Sequence, residues 1–136
     1  MVATYGACFS YMTIARHHSY NSFFYDLGVS VQILWSTIHE GKFFESTAYA
    51  TPGSEFRYHN APLWFLVLPL YAIHEAPETL LVLQSFALAS GAIPLFAICR
   101  RELNDQVALG LAALYLLNPV THWINWFDFH LVALSV

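Results

Sequence analysis

The sequence predicts an all-α, polytopic transmembrane protein with an outer loop that carries interfacial amphipathic helices. Two uncharged stretches and the composition carry that expectation. Leu80–Cys99 contains no Asp, Glu, Lys or Arg, enough chain for a helix to cross about 30 Å of hydrocarbon. Val107–Phe127 is a second such stretch. Charged residues make up 10% of the chain and apolar residues 57%, whereas soluble domains carry roughly 25% charge. Aromatics reach 17%, with four Trp and eight Tyr, the amphipathic rings that collect at membrane interfaces.

Taken in order, Met1–Ala15 has no charged side chain and stops at Arg16-His17-His18. It falls short of the roughly seventeen residues a crossing needs, so 1–15 reads as a partial first span. No Lys or Arg precedes the apolar run, which disfavours a signal peptide. Residues 16–76 then form the outer loop. Within it Leu27, Val31, Leu34, Trp35 and Ile38 share one face at helical spacing. They predict an amphipathic helix over 27–40, lying along the interface and ending at Gly41. Glu45–Tyr58 is polar and has Pro52-Gly53 as a turn signal, so it reads as a loop. Residues 61–75 include Pro62 and Pro69 and suit a second interfacial or re-entrant helix.

Spans follow at 77–99 and 106–127, joined by a short turn bearing Arg100-Arg101. Basic residues in a short connection favour the cytoplasm. That places 16–76 and 128–136 on the non-cytoplasmic face of the cell membrane, although Arg16, Lys42 and Arg57 in the outer segment dilute the rule. Gln84, Ser85 and Ser90 are polar enough to bond across helices, and Ala87-x-x-x-Gly91 permits close packing. Cys8 and Cys99 fall at opposite ends of the membrane, so no disulfide is expected.

Asp26 is a lone acid in the aromatic segment Phe23-Phe24-Tyr25-Asp26. Ionisable groups held at a membrane are costly and tend to mark functional sites. Asp is equally a favoured N-cap, here for the helix beginning at Leu27, and both roles stand on the residues alone. His59, at the water-facing start of a helix, suits phosphate binding, base chemistry or a bond to lipid headgroups. Asp128 and His130 lie two apart among Trp123, Trp126, Phe127 and Phe129. A metal site built from Asp26, His59, Asp128 and His130 has no local ligand spacing behind it.

The sequence holds no phosphate-cradling glycine loop, nucleophile elbow or Cys-x-x-Cys pair. A net charge of −4 and the lack of a basic stripe argue against nucleic acid as a partner. The uncharged interior of Leu80–Cys99 weakens a channel or proton-pump reading.

Asp26-Leu27-Gly28 with Gln32 and Trp35 resembles the opening motif of an uncharacterised family of predicted multi-pass membrane proteins, domain of unknown function 2079. The likeness continues through His59 with Pro62, Leu68-Pro69-Leu70-Tyr71, and Pro77-Glu78-Thr79-Leu80-Leu81 with Gln84-Ser85. It closes with Ala92-Ile93-Pro94-Leu95, Tyr115-Leu116-Leu117-Asn118-Pro119 and Phe127-Asp128-Phe129-His130, covering residues from about 16 onward. Such proteins run to several hundred residues, which implies that this chain is an N-terminal fragment. The family in turn is similar to membrane glycosyltransferases that use polyprenyl-phosphate sugars. That resemblance implies Asp26, and less directly Asp128, as catalytic acids of the outer loops. His59, His130 and Gln32 match the family motifs and would bind substrate or phosphate. No cofactor is implied beyond a divalent cation offsetting charge on a departing phosphate, and membrane lipid is the expected partner. Two rival classes remain: a transporter or lipid-handling protein without covalent chemistry, and a structural component in which Asp26 is only a cap. Charged groups lining a route through further spans would favour the transporter. An Asp26 replacement that leaves activity intact would favour the structural reading.

Overall fold

The computed structural model describes residues 1–135, Phe24 through its backbone alone. Val136, the last residue of the expected outer tail, lies outside the described residues. Helix dominates, in the order α1 (Val2–His18), α2 (Phe24–Glu40), α3 (Trp64–Tyr71), α4 (Pro77–Ser90), α5 (Ala92–Glu102), α6 (Asp105–Leu116) and α7 (Pro119–Trp126). The expected all-α class needs one correction. The polar loop after α2 contains a short antiparallel hairpin, β1 (Glu45–Ser46) and β2 (Gly53–Ser54), in which Glu45 pairs with Ser54. Pro52-Gly53 sits at the return of that hairpin, where a turn signal belongs. A 3-10 turn, Glu55–Arg57, follows directly and is capped by the Ser54 hydroxyl.

The expected partial first span is longer than 1–15. Arg16, His17 and His18 occupy the last turn of α1, where cations complement the helix dipole. Pro77 starts α4 at a position that needs no backbone N–H. Together α4 and α5 run as one helix, Pro77–Glu102, with mean hydropathy 1.9 over its most apolar window. At 1.5 Å per residue this is about 39 Å of helix. Among the described residues it is the one helix long and apolar enough to cross a membrane by itself. Gly91, at the joint, makes room for Tyr115. A Cβ there would lie 2.5 Å from the Tyr115 hydroxyl, which donates to the Leu88 carbonyl at 2.8 Å.

The expected continuous span 106–127 is broken. Asn118 caps a new helix by accepting from the Val120 N–H at 2.9 Å, and Pro119 occupies its first turn. An Asn-Pro pair is both a stop and a start signal, so the chain bends by 40° between α6 and α7. The pair counts as a second crossing only if taken as one broken span.

Helix α2 also begins earlier than 27. Phe23 takes the N-cap position with no side-chain cap bond, so Asp26 sits inside the first turn and is not the cap. Gly41 ends the helix as expected, in the left-handed conformation at φ 65°. The buried stripe is rotated from the expected one. Leu27, Ile33 and Leu34 are buried, whereas Trp35 is exposed and stacks near His39 at 5.0 Å. The cause is the hairpin loop, which lays Phe44 over this side of α2. Phe44 is itself buried at φ 45°, its N–H donating to Thr37 Oγ1 and its carbonyl accepting from Glu55.

Helix α3 is shorter than the expected 61–75, since residues 61–63 form a turn before Trp64. Its Trp64, Val67 and Tyr71 join Leu27, Ile33, Leu34, Leu80 and Phe129 in one core. A second core, around Tyr5, Ala89, Ala92 and Leu116, ties α1 to the long helix and to α6. Both cysteines are free thiols.

Candidate functional site

One cleft of about 630 Å³ brings Asp26, His59 and His130 together. Helix α2 supplies Asp26, the chain after the 3-10 turn supplies His59, and the tail after α7 supplies His130. His130 Nε2 lies 3.4 Å from Asp26 Oδ2, and both side chains are partly open to solvent. The tautomer follows from the other nitrogen. His130 Nδ1 lies 3.1 Å from the Asp128 carbonyl, which can only accept, so Nδ1 carries a proton. Asp26 and His130 form a close carboxylate–imidazole pair.

The position of His130 is set from within the helices. Gln84 of α4 is fully buried, and its amide donates to the Ile124 carbonyl at 3.2 Å and the Asp128 carbonyl at 3.0 Å. Its carbonyl oxygen accepts the His130 N–H at 2.7 Å. The Phe127 ring packs 5.0 Å from the imidazole.

Glu55 brings a second carboxylate to the cleft. Its Oε1 lies 3.8 Å from His59 Nε2 and accepts from the Tyr49 hydroxyl at 3.4 Å. Burial pushes the Tyr49 hydroxyl above the usual phenol range and Glu55 adds to that, so Tyr49 remains a donor. Trp64, only 4% exposed, also lines the cleft, and its Nε1–H finds no acceptor among the described residues. No Lys or Arg lines this cleft among the described residues.

Asp128 lies elsewhere. It is 2% exposed, outside the cleft, with Oδ1 3.4 Å from Arg16 Nη1 and Oδ2 without a hydrogen-bond partner among the described residues. Burial raises its carboxyl above the ordinary range, and the Arg16 guanidinium pulls the other way. Arg16 also donates to the carbonyls of Trp126 and Phe127. Rather than diluting a charge pattern in a loop, it fixes the end of α1 to the chain after α7. Gln32 is likewise outside the cleft. Its amide binds the Glu45 carbonyl at 3.1 Å and accepts from Thr47, holding the hairpin against α2. Among the described residues no three His, Cys, Asp or Glu side chains group to hold a metal ion. Asp26, His59, Asp128 and His130 are no ligand set, because Asp128 turns inward to Arg16.

Glu55, Tyr49 and Trp64 were not foreseen as site residues. Nothing in the polar stretch marks Glu55, whose place depends on the hairpin. Gln84, a lone amide in an apolar run, did carry a signal for buried hydrogen bonding.

The chain is mostly helical, with one helix of membrane-crossing length and a cleft built from α2, the segment after the hairpin and the tail after α7. The chain belongs to the family described as predicted membrane protein, domain of unknown function 2079, whose model matches residues 16–135. No curated protein and no solved structure matches the chain.

Proposed function

We propose that the chain is part of a polytopic membrane enzyme of glycosyltransferase type. It would move a sugar from a polyprenyl-phosphate donor to a hydroxyl acceptor at the non-cytoplasmic face. The observation that supports this reading is the Asp26–His130 pair in the cleft, 3.4 Å apart. Gln84, which accepts from the His130 N–H, lies in the Pro77 half of the long helix. Arg100 and Arg101 occupy the last turn at its other end, where basic residues favour the cytoplasm.

In this reading the acceptor oxygen attacks the anomeric carbon. The bond from that carbon to the phosphate oxygen breaks, and its electron pair leaves with the polyprenyl phosphate. Asp26 takes the acceptor's hydroxyl proton from about 2.6–3.2 Å, and His130 beside it orients the carboxylate. Asp128 acts at a distance, by holding with Arg16 the segment that carries His130.

The test is transfer of labelled hexose from a polyprenyl-phosphate donor by the chain in lipid vesicles, with and without a divalent cation. Asp26→Asn should lower the rate by about 10²–10⁴-fold, the range of a general base. Full transfer by that variant would sink the proposal. The apolar walls contributed by Val29, Ile33, Leu63 and Phe129 favour a second reading, a lipid-handling protein without covalent chemistry. It predicts lipid movement between vesicles that is indifferent to Asp26→Asn.

A further inference from the structure

The cleft is rich in hydrogen-bond acceptors and poor in fixed positive charge. Asp26 and Glu55 supply two carboxylates, and no Lys or Arg lines the walls among the described residues. His59 and His130, the residues a phosphate would need, each stand against a carboxylate already, at 3.8 and 3.4 Å. An incoming phosphate would therefore meet two carboxylates and, among the described residues, no guanidinium or ammonium group.

Glu55 shows the opposite kind of readiness. Its side chain is 13% exposed, so it is set in the wall rather than waving in solvent. Its contacts, 3.4 Å to Tyr49 and 3.8 Å to His59, are longer than good charge-assisted hydrogen bonds of about 2.7–2.9 Å. A carboxylate with spare lone pairs accepts hydrogen bonds from hydroxyls. His59, largely exposed and with Nε2 3.8 Å from Glu55, is the second polar group a hydroxyl would meet there. Tyr25 and Tyr49 add ring faces, and about 630 Å³ falls within the usual span of small-molecule sites.

We propose that Glu55 and His59, with Asp26 and His130, form a hydroxyl-reading site for a neutral, polyhydroxylated ring, and that the donor phosphate lies outside this cleft. This deepens the glycosyltransferase reading and rests on it for the identity of the ring as acceptor. Glu55 anchors the ring's hydroxyls, which leaves Asp26 facing the one that reacts.

The experiment is saturation-transfer NMR on the chain in lipid nanodiscs, with methyl hexopyranosides and methyl pentopyranosides as probes and inorganic phosphate as competitor. At least one glycoside should bind, Glu55→Gln should weaken it by about fivefold or more, the equivalent of one lost hydrogen bond, and phosphate should not displace it. His59→Gln is the second variant, used if Glu55→Gln loses its helical circular dichroism. Binding of no glycoside, displacement by phosphate, or an unchanged Kd in the variants would each overturn the proposal. Glycoside binding that depends on Glu55, without any sugar transfer, removes the transferase reading and leaves this site standing. Transfer with an acceptor KM unmoved by Glu55→Gln does the reverse.

Discussion

Replacing Gln84 with Met tests how the helices and the cleft are joined. Met matches the side chain in length and apolar bulk but offers no amide. The change deletes three hydrogen bonds: two donated to the carbonyls of Ile124 and Asp128, and one accepted from the His130 N–H. Interhelical hydrogen bonds in bilayers average about 0.6 kcal/mol and reach about 1.7. Three of them give a loss of about 2 to 5 kcal/mol, the upper end applying if the freed backbone groups stay dry. Gln84→Glu is the informative contrast, because a carboxylate still accepts from His130 but cannot donate to two carbonyls. The assay is reversible unfolding in mixed micelles, read together with the His130 ring resonance by NMR. Glu should cost most, because it buries a carboxylate against two carbonyl oxygens, Met less, and both should shift the ring signal. If Gln84→Met costs under about 0.5 kcal/mol and leaves the ring signal in place, the amide does not position the site.

Arg16→Met should destabilise the chain by about 3–5 kcal/mol, since it strands a buried carboxylate. Adding Asp128→Asn should recover much of that, as measured by thermal unfolding of both variants. The raised carboxyl of Asp128 sets a sign for pH dependence. The folded state binds this proton more tightly than the unfolded chain, so this group's contribution rises as pH falls from its raised value toward 3.8. Asp128→Asn should abolish that part of the slope in a denaturation series. Gly91→Ala should cost about 1–3 kcal/mol, because its Cβ would meet the Tyr115 hydroxyl at 2.5 Å. Tyr115→Phe should relieve part of that loss in the same melting assay. Asp26→Ala should cost no more than the 0.3–1 kcal/mol or so of a first-turn acid near the helix dipole, since Asp26 is not the N-cap. A larger loss on chemical unfolding would return it to a structural role.

How much of this was legible in the sequence depended on the range of the interactions. Pro77 and Gly41 marked helix ends correctly because capping is local chemistry. The uncharged run from Leu80 announced the long helix for the same reason. Asn118-Pro119 carried the break between α6 and α7 in plain view, yet the apolar count across it hid the break, since hydropathy does not register a missing N–H. The start of α2 is hidden in the sequence because Phe23 and Phe24 give no capping signal. Periodicity alone puts Trp35 on the buried face, while its actual exposure depends on where the hairpin folds back. Within the site, Asp26, His59 and His130 could be singled out as ionisable groups in apolar or aromatic settings. Glu55 could not, because only the pairing of Glu45 with Ser54 and the bond from Glu55 to Phe44 bring it to the cleft. Asp128 looked like His130's equal in sequence, but the side chains of that extended tail part company, one to the cleft and one to Arg16.

The contact between Arg16 and Asp128 joins residues 112 positions apart. A ribosome feeding this chain into a membrane releases the guanidinium long before the carboxylate exists. Until Asp128 is made the guanidinium lacks this carboxylate, and until His130 is made Asp26 lacks its imidazole. Both contacts depend on the segment that follows α7, so the site needs the far end of the described fold as much as its first helices.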